Sequence, residues 1–523
     1  MRTFCASSGR TKRTTGLRAV SCAASAVPAD LHDTDRVSIS ILPDDILLDI
    51  FHFCRADTID LASGTWGWLR LVHVNRAWRR TILSSQNSLD LRLLITEKTP
   101  VRRTLGVWPP LPIIIEYRNT SSARPQPAIP EDWHDVATAL EHPGRIYRMT
   151  LWGLTDDALV GTMAMRKPFP MLTYLRVQSC GDTARSLALP DTFLGGRAPR
   201  LLRIWLEGIR FPALPKFLSS ASGLVELRLD KIPDTWRISP ETLATCLSTL
   251  TKLVSLSIEF QYPVLNQTLH GPPPPTRAVL PALAILFFKG TSDYLEDLVS
   301  RVDAPRLSYT FIKFFNQLIF DIPQLPRFIA RTEKLKSLKR AEVFFDGQAV
   351  GIGFYLPETT VPRNFTVRIM CSKSDWQLDS LAQVCNQSLP LLSGVEQLDI
   401  RECPSREPHL EDMVQWVDLF HPFTAVESLR IPRELGPRIA PVLQELTEPR
   451  AAHVLPALNS LLFEELEPTE SGPLQGAVQR FVAAREGSGH PIDVRRWDGK
   501  WERDMEWEWD LAREWERDLE VGD

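Results

Sequence analysis

The chain has 523 residues, with 60 Lys and Arg against 64 Asp and Glu and a net charge of −4 at pH 7. Its 44% apolar and 24% charged residues are those of a folded chain, which excludes wholesale disorder, and the near-neutral balance excludes a surface that wraps nucleic acid. The longest apolar run, Ala278 to Phe288, contains Pro281 and falls short of the ~20 residues that cross a bilayer, so neither nucleic acid nor membrane is an expected partner. Residues 1–40 form a lead-in expected to be disordered. Arg2, Arg10, Lys12, Arg13 and Arg18 stand among Ser, Thr and Ala there, with no acid before Asp30. The same composition suits a mitochondrial transit peptide, although no apolar face accompanies it.

Residues 41–83 predict a small all-α module. Pro43 suits a first helical position, where its missing N–H costs nothing, and Asp44 and Asp45 face the positive end of the helix dipole. Leu42, Ile46 and Ile50 form one apolar line, with Leu47 and Phe51 beside it. After a break at Ser63-Gly64, the period of Trp66 to Leu83 predicts one further helix with Leu71, Val74 and Trp78 on a face. So short a segment with apolar groups aimed in several directions predicts docking onto something else.

The run Leu42-Pro43-Asp44-Asp45-Ile46-Leu47-x-x-Ile50-Phe51, followed by Val74-Asn75-Arg76-x-Trp78-Arg79, resembles the F-box. That resemblance implies docking to the Skp adaptor, and so to a cullin complex, through Leu42, Pro43, Ile46, Leu47, Ile50, Phe51, Val74 and Trp78. The link from Arg55 to Trp68 is longer than that family's usual one. Thr99 to Pro110, His421 to Val426, and Phe481 to Arg485 with Gly489-His490-Pro491 resemble the large group of mushroom F-box proteins with irregular leucine-rich repeats.

Residues 84–140 are expected to be a linker and first cap. From 141 to 498 a phrase Φ-x-x-Φ-x-Φ recurs, beginning at Ile146, Leu172, Leu201, Leu224, Leu253, Leu283, Leu307, Val395, Val426 and Leu458. Leucine-rich repeats recur every ~20–29 residues with such a strand phrase, so the expected fold is α/β, an irregular leucine-rich-repeat-like solenoid behind the helical module. Leu243, Cys246, Leu247 and Leu250 predict a helix between phrases, as do Tyr294–Val302, Leu378–Leu389, Met413–Phe420 and Ile439–Leu446. The 41 prolines, about 8% of the chain, exceed the ~5% norm, and Pro170, Pro199, Pro281, Pro305 and Pro456 each stand two residues ahead of a phrase. Between Leu307 and Val395, Val343 to Phe354 predict a hairpin and Phe365, Val367 and Ile369 a further strand, read as repeats with lengthened, exposed strands. Gly271-Pro-Pro-Pro-Pro275 predicts a stiff spacer loop, with a proline-helix ligand as the other reading.

Outward positions of the strand phrases are the candidate target-binding residues, since they line the concave side of such solenoids. They are Arg203, Trp205, Glu226, Arg228, Glu259, Gln397, Asp399, Arg401 and Arg430, with Trp205 foremost because tryptophan is enriched in binding hot spots. No catalytic motif, metal-ligand spacing or phosphate loop appears, so no enzyme activity, metal or cofactor is expected. Gly487-Ser488-Gly489-His490 lacks the strand and helix that would expose a nucleophile. The eight cysteines show no paired spacing and read as reduced thiols of the cytoplasm or nucleus. From Trp497 to Asp523 stand eleven acids, four bases and five tryptophans, with Trp497, Trp501, Met505 and Trp509 at helical spacing, as are Trp507, Leu511, Trp515 and Leu519. This acidic aromatic helix, 499–523, is expected to pack on the body or fray in solvent, the other reading being that it binds a partner. The resulting expectation is a substrate-recognition subunit of an SCF-type ubiquitin ligase, the alternative being an interaction scaffold with no ligase.

Overall fold

The computed structural model describes residues 42–497 except 57–58, 61–64, 87–88, 97–98, 119–132, 155–164, 180–187, 234–235, 264–275, 318, 347–348, 356–363, 372–376, 387–390, 403–412, 433–434, 436–438, 440–441, 445, 447–452 and 465–472. The basic lead-in, the proline-rich loop 271–275, Cys180, Cys403 and the acidic tail lie outside the described residues.

Three helices open the chain: α1 Asp44–Ala56, α2 Gly67–Leu71 and α3 Arg76–Ser84. The expected single helix over 66–83 is two. Asn75 adopts an extended conformation and its side chain accepts the Trp78 N–H at 2.8 Å, which caps α3 and stops the chain from continuing α2.

Sixteen described strands then form one sheet. They are β1 Leu93–Thr96, β2 Ile113–Arg118, β3 Ile146–Leu154, β4 Tyr174–Ser179, β5 Arg203–Glu207, β6 Glu226–Ile232, β7 Ser255–Phe260, β8 Ile285–Gly290 and β9 Tyr309–Phe314. The chain continues with β10 Arg340–Asp346, β11 Ala349–Tyr355, β12 Phe365–Met370, β13 Gln397–Glu402, β14 Ser428–Ile431, β15 Ser460–Glu464 and β16 Asp493–Trp497. Residues 84–140, expected to be linker and cap, thus supply the first two strands. From β1 to β9 the neighbours are parallel and in chain order, as are β13 to β16, with helices in the connections: a leucine-rich-repeat-like α/β solenoid.

The phrase fixes the register. Its sixth residues fall opposite one another as a continuous column, Leu151, Val177, Leu206, Leu229, Ile258, Phe288 and Ile312. All are buried, as is every first residue of the ten phrases. The five early prolines have a shared reason. In Phe169-Pro170-Met171-Leu172 the Leu172 N–H donates to the Phe169 carbonyl at 3.2 Å, and Leu201, Leu283, Leu307 and Leu458 repeat that bond to Ala198, Leu280, Ala304 and Leu455. Proline occupies the second position of each β-turn, where its fixed φ is already correct.

The long gap departs from simple repetition. β10, β11 and β12 are an antiparallel meander inserted in reverse, so the sheet runs β9-β12-β11-β10-β13. The column survives it: Ile312 faces Val367, then Ile352, Val343 and Ile400. These strands were expected to be exposed, and the structure reverses that, because β11 is buried along its whole length. Gly351 has no side chain to offer, and the Phe344 ring occupies the place where its Cβ would sit.

One buried carboxylate serves a helix start. Glu296, on the helix Ser292–Arg301, accepts the N–H groups of Gln324 at 2.5 Å and Leu325 at 2.8 Å, which open the helix Gln324–Ala330. Burial pushes its carboxyl up to about 7, outweighing those two bonds. No helix among the described residues is long and apolar enough to cross a membrane.

Two outcomes test this architecture. Leu227→Ala, emptying a fully buried site on β6, should cost ~2–5 kcal/mol in urea unfolding. A loss under ~0.5 kcal/mol would mean the column is out of register. The second concerns Glu296, whose folded pKa lies above its ordinary ~4.3, so the folded protein keeps a proton that the unfolded chain has released. That contribution is complete below about pH 4.5 and is lost as pH rises towards 7. Glu296→Gln should therefore gain on wild type by ~2–3 kcal/mol between pH 4.5 and 8. A pH-independent difference would show instead that the two backbone donors hold the carboxylate at its ordinary value.

Candidate functional site

Two surfaces emerge, one on the helical module and one on the sheet. Within the module, Leu47 and Phe51 of α1 turn inward, and the Phe51 ring meets Trp78 of α3 edge-on at 4.9 Å. Thr81 Oγ1 donates to Asp44 Oδ1 at 3.2 Å, tying α3 to the first turn of α1. Trp68 joins the module to the sheet: its Nε1 donates to the Arg92 carbonyl at 3.2 Å and its ring meets Trp108 at 5.4 Å. Of the eight expected docking residues, Leu47, Phe51 and Trp78 are therefore buried and hold the module together. Pro43 is exposed, Leu42 and Ile50 are half-buried, and Ile46 and Val74 are 43% and 57% exposed.

Phe53, which the sequence reading passed over, is 75% exposed. It lies seven residues after Ile46 and three after Ile50, so Ile46, Ile50 and Phe53 form one outer stripe of α1 while Leu47 and Phe51 form the inner one, and Leu42, just before the helix, packs half-buried against the core. The same helical arithmetic that grouped Ile46 with Ile50 would have found it.

On the sheet, residues alternating with the buried column form an open face. Its N-terminal half is a ladder of cations and rings across five strands. Arg118 of β2 lies 4.9 Å from the Trp152 ring of β3, and Arg176 of β4 is held between Trp152 at 4.1 Å and Trp205 of β5 at 2.9 Å. Arg228 of β6 covers Trp205 from the other side at 3.9 Å and pairs with Asp230 at 2.5 Å. Trp205 is thus clamped between two guanidiniums rather than projecting freely. Arg203 and Glu226 face each other across β5 and β6 at 4.0 Å. Burial raises the Asp230 carboxyl against the pull of Arg228, and burial together with Asp230 raises Glu259.

The C-terminal half is built differently. Asp399 of β13 is buried, with Arg340 at 2.6 Å, Arg430 at 3.7 Å and the Gln397 amide at 3.0 Å. Glu342 is also buried and accepts from Arg401 at 2.6 Å and from the Tyr355 hydroxyl. The structure thus brings Gln397, Asp399, Arg401 and Arg430 together, while Arg203, Trp205, Glu226, Arg228 and Glu259 belong to the other half. Phe287, Lys289, Tyr309, Phe311, Lys313 and Arg368 share the open face and were missed, although they occupy the same outward positions of their strands.

Two nucleophilic side chains can be placed. Ser488 follows the helix Pro473–Gly487 and its hydroxyl donates to the Ala484 carbonyl at 2.9 Å, so it finishes a helix. Burial pushes the Cys385 thiol up to about 12, leaving it protonated. Among the described residues no cluster of His, Cys, Asp and Glu could hold a metal ion.

No family model matches the chain. No curated protein matches it either. Among solved structures, the leucine-rich-repeat-containing protein LegL7 from Legionella pneumophila aligns with 75% of this chain and 97% of its own length, at 12% identity and a TM-score of 0.26. The description as a solenoid rests on the strand register above.

If the clamp on Trp205 is energetic, a double-mutant cycle of Trp205→Ala with Arg228→Ala should return a coupling of ~1 kcal/mol in chemical denaturation. Strict additivity would reduce the ladder to a coincidence of packing.

Proposed function

We propose that the chain is a substrate-recognition subunit of an SCF-type ubiquitin ligase. The helical module takes the Skp adaptor, which links it to the cullin complex, and the open face of the sheet holds a target protein. The observation that carries this is the outer stripe of α1. A helix whose inner stripe already fills the module core keeps a second apolar line, Ile46, Ile50 and Phe53, in contact with solvent, with Leu42 half-buried just ahead of it and Val74 exposed on the neighbouring turn. Such a stripe gains roughly 1.5–3 kcal/mol for each large side chain that a partner covers. The F-box resemblance of Leu42 to Phe51 and Val74 to Arg79 supplies the partner.

In this reading the protein performs no bond chemistry. It raises the effective concentration of target lysines near a conjugating enzyme carried elsewhere in the complex, in the cytoplasm or nucleus. Trp68, hydrogen-bonded to Arg92 beside β1, makes the module continuous with the sheet, and a rigid joint is what a proximity device requires.

Leu42→Ala with Pro43→Ala should weaken adaptor binding on the order of a hundredfold, since ~1.4 kcal/mol is tenfold, and should leave the melting temperature unchanged. Ile46→Glu or Phe53→Glu should act alike. Trp78→Ala should instead unfold the module, because truncating a buried tryptophan costs ~3–5 kcal/mol. Removing residues 499–523 should not alter adaptor affinity, as β16 and the module lie at opposite ends of the sheet. Wild-type protein with no micromolar affinity for the adaptor would sink the ligase and leave an interaction scaffold.

A further inference from the structure

The C-terminal half of the open face sets cations above acids. Asp399 and Glu342 are buried, whereas Arg340, Arg401 and Arg430 lie over them with part of each guanidinium in solvent. Further along, Glu259, Lys289, Lys313 and Arg368 are successive neighbours on β7, β8, β9 and β12, three half-buried cations in a row that begins with one acid. Three cations against one acid give the row a positive balance. Beside this row stands a second one of rings: Phe287 lies 5.2 Å from Tyr309 and 6.2 Å from Phe311, all three half-buried. Cations alternating with accessible rings suit a segment that is both acidic and aromatic.

Such a segment belongs to this chain. Residues 497–523 hold eleven acids against four bases and five tryptophans. Its first residue marks where it departs. Trp497, the last residue of β16, stands two residues after Arg495, which continues the open-face row of Asp399, Arg430 and Leu462. Arg430 lies 5.2 Å from the Trp497 ring, so the segment leaves β16 already on the open face. From β16 to β12, β9 and β8 is six, seven and eight strand steps, about 29, 34 and 38 Å at ~4.8 Å each. Residues 498–523 span about 39 Å as a helix and about 86 Å extended, so the row is within reach.

We propose that residues 498–523 lie back across the open face, with carboxylates on the Lys289, Lys313 and Arg368 row and indoles against Phe287 and Phe311. The docking stands apart from the ligase reading. Its consequence, that the segment and a target compete for one surface, rests on that reading of the open face.

The test is carbodiimide cross-linking of the full chain, which joins a lysine amine to a carboxylate only where the two touch. A mixture of unlabelled and nitrogen-15-labelled copies separates links within a chain from links between chains by mass. Expected are amides within one chain from Lys289 or Lys313 to acids between Glu508 and Glu520. Arg368→Gln should lower the Lys313 links about fivefold while the melting temperature holds, and about 0.5 M salt should do the same. Links between copies would assign the segment to a second molecule and overturn the proposal. Its absence from both lysines, or links spread evenly over exposed lysines such as Lys216 and Lys252, would also overturn it. Adaptor affinity is read on the same preparation, so failure here and failure of the ligase reading are told apart.

Discussion

Everything in the body of this protein depends on one constraint: an apolar column can be covered only by the next coil of the chain. Leu227 on β6 is buried because Ile204 of β5 and Leu256 of β7 stand directly beside it in the sheet. No coil has enough apolar surface to fold alone, and the backbone groups along each strand find partners only on its neighbours. Strand register and core packing are therefore one requirement, since a slip by one residue would carry Leu227 to the open face and Arg228 into the core.

That requirement explains why the open face is free to vary. Once the column holds the coil, the alternate positions are released from apolar packing and take polar and aromatic side chains instead. They hold stacked guanidiniums and indoles in one half and arginines over buried acids in the other. Buried acids such as Asp399 are tolerated because each carboxylate oxygen finds an N–H donor, and the same geometry lifts the arginines towards solvent.

The repeating part of the fold was legible because it is local. The six-residue phrase contains both its inward and outward positions, so Trp205 and Arg228 could be assigned to one face without knowing their neighbours. Their mutual stacking was not legible, because it joins residues 23 apart through a register that only the assembled sheet defines. The inverted meander stayed hidden for the same reason: Val343, Ile352 and Val367 announce strands, but nothing near them says that β12 returns to β9. On α1 the period grouped the apolar residues correctly yet left undecided which stripe faced inward. Trp78 settles this by seating its ring against Phe51.

The inverted meander also alters how the chain would yield to a mechanical load. Pulled from its C-terminal end, the sheet can surrender β16, β15, β14 and β13 one at a time, each being the outermost strand when its turn comes. The next strand along the chain is β12, but the outermost one remaining is then β10. To continue, β12 must be torn from between β11 and β9 in the interior of the sheet. An unfoldase threading the chain from that end would meet easy peeling and then an abrupt stop, a ratchet tooth that leaves β1 to β12 standing while the outer coils are lost.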